Sequence, residues 1–195
     1  MLQLQEIHLG EQHMSANSSS RYSTVAIIFH WLIAILVIVN WRIAEAAEHL
    51  QMPEKAEVFG NHKALGMLIL VLSLGRLAWR LGHKPPPMPE QASGWEKTLA
   101  KAVHVIFYIL LIGLSIGGWL ASSLTGRPID FFGIFTIPML PVGENPEAGK
   151  AIFDAHATGG SIMIYLIILH VLGALKHSFI DKIPGLSRMW FGGSR

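Results

Sequence analysis

Ten histidines and no cysteine define the chemistry open to this 195-residue chain. Without a thiol there is no disulfide framework, no Cys-ligated iron–sulfur cluster, no thiolate zinc site, no cysteine nucleophile and no covalent c-type haem attachment. Imidazole remains as the metal ligand and proton carrier. His156 and His170 stand 14 residues apart. On a helix that spacing returns to within about 40° of the starting direction and separates the two rings by about 21 Å along the axis. One helix then presents a ligand at each of two levels on one face.

The elements that must position these residues are four apolar stretches, 25–44, 62–81, 102–124 and 157–176. Each is about 20 residues long, the length at which a helix crosses a hydrocarbon core of about 30 Å. The composition agrees, with 51% hydrophobic and 14% charged residues and a mean hydropathy of +0.44. Buried helices of a water-soluble bundle would keep a polar face, and these stretches do not. The predicted fold is all-α, an integral membrane four-helix bundle. Ten lysines and arginines flank the stretches on the side of the chain ends and the 76–101 connection, against five on the other side. By the positive-inside rule both termini are cytoplasmic. A net charge of +2 gives no basic surface of the kind that nucleic acid requires.

Residues 1–20 read as a polar tail without a signal peptide, in which Met14 offers a second start. Residues 21–190 form the membrane domain and 191–195 a short tail. A Pro-rich connector after 83 leads into an expected surface helix carrying Trp95. The stretch 125–154 is expected to be the longest loop, with its apolar run FFGIFTIPMLP at the membrane interface. There is no internal repeat and no Gly-rich phosphate loop.

Six histidines fall in or at the ends of the stretches, where an ionisable group is costly and therefore a functional candidate. By depth, His30 matches His170 near the cytoplasmic face, and His62 matches His156 near the external face. Two facing imidazoles at one level of a bundle suit axial ligation of haem iron. Small residues recur about a turn from each ligand: Ala34, Gly66, Gly159 and Gly160, Gly173 and Ala174, with Gly113, Gly117 and Gly118 from the third stretch. Small residues also mark tight helix contacts in membranes. Zinc or copper is the rival occupant, but it would call for three or four converging ligands, with carboxylates among them. With no cysteine, any haem is non-covalent haem b, and two are expected.

His104 and His177, at the cytoplasmic ends of their stretches, suit haem propionates, a quinone pocket or proton transfer. Arg76 and Arg80 either pair with propionates or anchor the second stretch to headgroups. His8, His13, His49 and His83 receive no role, and no residue is singled out as catalytic.

The motifs RYS…FHWLIA, GNHKALGMLILVLSLGRLAWRL, HVIFYILL and DAHATGG…LHVLGALKH resemble the bacterial cytochrome b561 family over about residues 21–190. The resemblance implies a four-helix di-haem membrane protein. In it His30 and His170 hold one haem, His62 and His156 the other, and electrons pass between the external face and the quinone pool. It further implies an oxidoreductase of superoxide oxidase type, taking electrons from superoxide to ubiquinone in the inner membrane. Lys63, Arg127 and Lys150 would then steer the anion, and Trp31, His104 and His177 would receive the quinone. Related helices serve as haem-b anchor subunits of dehydrogenases and hydrogenases, for which a redox partner protein is expected. A histidine-based metal-ion transporter is the third reading.

Overall fold

The computed structural model describes residues 21–88, 91–183 and 185–191. His8, His13, Met14 and the 192–195 end of the C-terminal tail lie outside the described residues. Four long helices dominate: α1 (Thr24–Glu48), α2 (Glu54–Gly82), α3 (Gly94–Leu124) and α4 (Pro146–Leu175). All four are long and apolar enough to cross a membrane. Each begins before its apolar stretch, because helix limits are set by caps whereas hydropathy marks only the part matched to lipid. Ser23 caps α1 by accepting the Ala26 N–H at 3.3 Å. At α4, Asn145 accepts the Ala148 N–H at 3.1 Å, with Pro146 in the first turn.

Two expectations are corrected by these caps. Trp95 does not sit on a separate surface helix but in the first turn of α3, whose start is set by the Ser93 N–H donating to the Glu96 carboxylate at 3.0 Å. The 125–154 stretch is not one long loop. It contains an antiparallel hairpin of β1 (Ile129–Phe131) and β2 (Phe135–Ile137), and α4 begins eight residues before Asp154. The hairpin turns through Phe132 and Gly133, at φ 54° and 72°. The Asp130 carboxylate accepts the Gly133 N–H at 2.7 Å.

Consecutive helices pack as α1 on α2, α2 on α3 and α3 on α4. Midway, each contributes one residue to a buried layer: Ile33, Ile69, Leu111 and Met163. A second cluster, Met67 and Leu70 with Ile129, seats the hairpin on one end of the bundle. Trp119 Nε1 donates to the Pro138 carbonyl and Ser123 Oγ accepts the Leu140 N–H, both at 3.0 Å, tying the following segment to α3. The other end gathers both ends of the described chain, where the Tyr22 N–H donates to the Arg188 carbonyl at 3.2 Å. Ile35, Val71, Ile109 and Leu169 are all more than half exposed on the outer helix faces. Such a surface is suited to lipid rather than water.

Candidate functional site

At the hairpin end, α2 and α4 bring His62 and His156 together with ring centroids 5.9 Å apart and planes at 85°. Each ring is held by a carbonyl of a neighbouring helix. His62 Nδ1 lies 3.1 Å from the Asn40 oxygen of α1, and His156 Nδ1 lies 2.9 Å from the Leu114 oxygen of α3. A carbonyl can only accept, so Nδ1 carries the proton and Nε2 is left with a free lone pair. That is the tautomer a metal-ligating histidine adopts. Two imidazoles bonded at about 2.0 Å on opposite sides of one metal have centroids about 6 Å apart. The observed separation fits that geometry.

Both rings line a cavity of about 990 Å³, near the top of the range for cofactor pockets, about 300–1,000 Å³. Its wall is mostly apolar, and Gly160 opens onto it with nothing within 4 Å of where a Cβ would stand. Gly118 has a different role: a Cβ there would fall 3.2 Å from His156 Cε1, so the helix must be bare for the ring to sit where it does. Gly159, grouped with the cradle residues on sequence spacing, instead faces Leu114, whose Cδ2 would be 2.6 Å from an added Cβ. It is a helix-contact residue. Asn40, a polar member of the first stretch without an assigned role, is buried, lines the cavity and leaves its Oδ1 without a hydrogen-bond partner. An asparagine within an apolar stretch, at the same depth as His62, was the available signal for it.

At the other end, His30 of α1 and His170 of α4 have ring centroids 6.4 Å apart and planes at 66°. His104 joins them, its centroid 5.9 Å from that of His170. It was expected at the edge of its stretch. Because α3 starts at Gly94, His104 lies ten residues into the helix and reaches the level of His170. Its Nδ1 is 2.6 Å from the Ala100 oxygen. Phe107 packs edge-on against His170 at 5.4 Å, and Trp31 against His30 at the same separation. Trp31 Nε1 is engaged by the Met189 carbonyl at 2.8 Å. Arg76 stands over the Tyr108 ring, its guanidinium carbon 5.9 Å from the centroid.

His177 lies outside this cluster, in a π turn (Lys176–Ile180) that ends α4, with Nδ1 2.8 Å from Asp181 Oδ2. The same Asp181 oxygen accepts from Lys176 Nζ at 2.8 Å, and Lys176 also reaches Glu96 at 3.1 Å. The Lys176 hydrogen bond, against a smaller cost of burial and with help from His177, holds the Asp181 carboxyl below its ordinary value of 3.8. Of the three cations expected to steer an anion, Lys63 and Arg127 line the large cavity without an ion pair among the described residues. Lys150 also lines it but is paired with Asp154 at 2.6 Å, and Glu45 and Glu48 stand in the same wall.

A sequence profile of the prokaryotic cytochrome b561 family matches residues 21–192. Cytochrome b561 homolog 2 of Escherichia coli (strain K12) is 32% identical over 89% of this chain and 93% of its own length. Cytochrome b561 homolog 1 of the same organism is 26% identical, over 87% and 97%. A probable superoxide oxidase of Yersinia pestis is 29% identical over 87% of this chain and 95% of its own. Four membrane-length helices that set imidazoles face to face at both ends of the bundle agree with that match, and this chain belongs to the prokaryotic cytochrome b561 family, a fold that holds haem b.

Proposed function

We propose that the chain is a di-haem b cytochrome of the bacterial inner membrane, with both termini cytoplasmic, acting as a superoxide:ubiquinone oxidoreductase. The observation that carries this reading is the presence of two imidazole pairs near 6 Å at opposite ends of α4. His62 and His156 would hold the haem at the hairpin end, the external end in this reading. His30 and His170 are the ligands at the cytoplasmic end. When bound, each haem supplies a one-electron centre, and two of them divide a membrane-wide transfer into shorter steps.

The protein's own residues do the rest. The carbonyls of Asn40 and Leu114 fix the ligating tautomer and ring direction. The Ile33, Ile69, Leu111 and Met163 layer keeps water from the path between the two levels. Lys63 and Arg127 draw superoxide to the external cavity, against the opposing field of Glu45 and Glu48. Two superoxide anions lose one electron each and leave as dioxygen, and ubiquinone takes the two electrons with two protons to become ubiquinol. At the cytoplasmic end Arg76 suits a propionate, and His104 and His177 suit the quinone. His177, hydrogen-bonded to Asp181, is placed to pass protons. The name of the Yersinia relative supports the choice of superoxide.

A reduced-minus-oxidised spectrum with a haem-to-protein ratio tests the ligand assignment, with b-type bands and two haems per chain expected. One haem at full occupancy would overturn the pairing. Superoxide should reduce the isolated protein with quinone as acceptor. Reduction that requires a large co-purifying peripheral subunit would instead make the chain an electron-conduit anchor. A colourless protein carrying zinc or copper would point to ion transport.

A further inference from the structure

A second cavity, of about 800 Å³, lies at the end of the bundle that holds the chain ends, between the start of α1 and the end of α2. Arg80 and Lys84 enter its wall beside Arg76, the guanidinium suited to a propionate. Arg76 and Arg80, one turn apart on α2, repel one another, and Lys84 follows just beyond the helix end. None of the three has an ion pair among the described residues, and no carboxylate stands in the described wall. The nearby acids, Glu96 and Asp181, are both engaged by Lys176. Facing the three cations is the first turn of α1, with Ser23 and Thr24 in the wall. A helix N-terminus carries partial positive charge, which adds to the three cations in favouring an anion. Tyr108, also in the wall, has its hydroxyl buried without a hydrogen-bond partner.

The rim is fixed rather than loose. Arg188 Nη2 donates to the Pro87 carbonyl at 2.6 Å, and Trp79 Nε1 donates to Ser23 Oγ at 3.2 Å. These bonds tie the Pro-rich connector to the C-terminal segment and the end of α2 to the start of α1.

We propose that this cavity binds the phosphate group of an anionic phospholipid. Guanidinium forks match phosphate oxygens, and basic pockets between membrane helices hold anionic headgroups. The cavity sits where the apolar part of α2 ends. Beside it Leu81 is 81% exposed, which leaves apolar surface for an acyl chain next to the charged site. Free phosphate shares the headgroup chemistry but has nothing to place there. The proposal stands whatever donor and acceptor the haems serve.

The test uses the haem-loaded, full-length protein, delipidated in neutral detergent, with bound lipid counted by native mass spectrometry. Dioleoylphosphatidylglycerol, dioleoylphosphatidylcholine and inorganic phosphate are the probes. Wild type should retain phosphatidylglycerol over phosphatidylcholine by roughly thirtyfold, the ratio that two near-surface cations supply. The Arg80→Gln/Lys84→Gln variant should lose that preference with its haem absorbance unchanged. Lys97→Gln/Lys101→Gln, which removes two cations of α3 outside the cavity wall, should keep it. Equal retention of both lipids, or an equal loss in the α3 variant, would overturn the site. Binding of inorganic phosphate with no preference for phosphatidylglycerol would assign the cavity to a soluble anion and overturn the lipid reading. Loss of haem from the Arg80→Gln/Lys84→Gln variant would assign these cations to a propionate, and that too would overturn it.

Discussion

Imidazole position decides the most at the residue scale. His62→Ala should remove the haem at the hairpin end and leave about half of the b-type absorbance, and His170→Ala should do the same at the other end. The three-histidine cluster makes a sharper demand. His170 has His30 at 6.4 Å and His104 at 5.9 Å, so ring separation does not choose between them. With His30 as the ligand, His30→Gln loses one haem and His104→Gln retains both. The opposite pattern in the haem-to-protein ratio would exchange their roles. Gly118→Val tests the bare-helix argument. Branching at a position where even a Cβ would meet His156 at 3.2 Å displaces the ring, so the hairpin-end haem should be lost preferentially while the protein still inserts.

Elements contribute through how they end. The hairpin closes one end of the bundle because Ile129, only 2% exposed, packs on Met67 and Leu70. Ile129→Ala leaves a cavity there and should lower stability by roughly 2–4 kcal/mol, read from the unfolding midpoint in detergent. At the other end, the π turn after α4 is held by Lys176 and Asp181. The Asp181 carboxyl is lowered in the folded protein, so its contribution is complete above about pH 4 and is lost as pH falls through the lowered value. The difference in thermal midpoint between wild type and Asp181→Asn should therefore be present at pH 6 and shrink as the pH falls below about 4.

Among the described residues, the fold is an antiparallel bundle with both ends of the described chain on one side and a hairpin cap on the other. A chain free of cysteine makes its orientation directly measurable. A thiol introduced by Gln91→Cys should be labelled only after the membrane is permeabilised, and one introduced by Val142→Cys should be labelled in intact spheroplasts. The reverse pattern would invert the topology. Both positions are exposed on connections between helices, so either thiol can be reached without disturbing packing.

The sequence alone determined that four helices cross a membrane and that His156 and His170 share a face, since hydropathy and the 3.6-residue repeat are local properties of the chain. Matching of His30 with His170 and of His62 with His156 was also legible, because helix rise converts residue number into depth. The caps at Ser93 and Asn145 were harder to see, so the true starts of α3 and α4 were misplaced. That error kept His104 from its level. Tertiary structure decided what depends on two or more helices at once: the carbonyls that orient His62 and His156, the bare surface of Gly118, the contact role of Gly159, and the basic pocket shared by α1 and α2. Depth follows from counting along one helix, whereas facing and contact depend on how each helix is rotated against its neighbours.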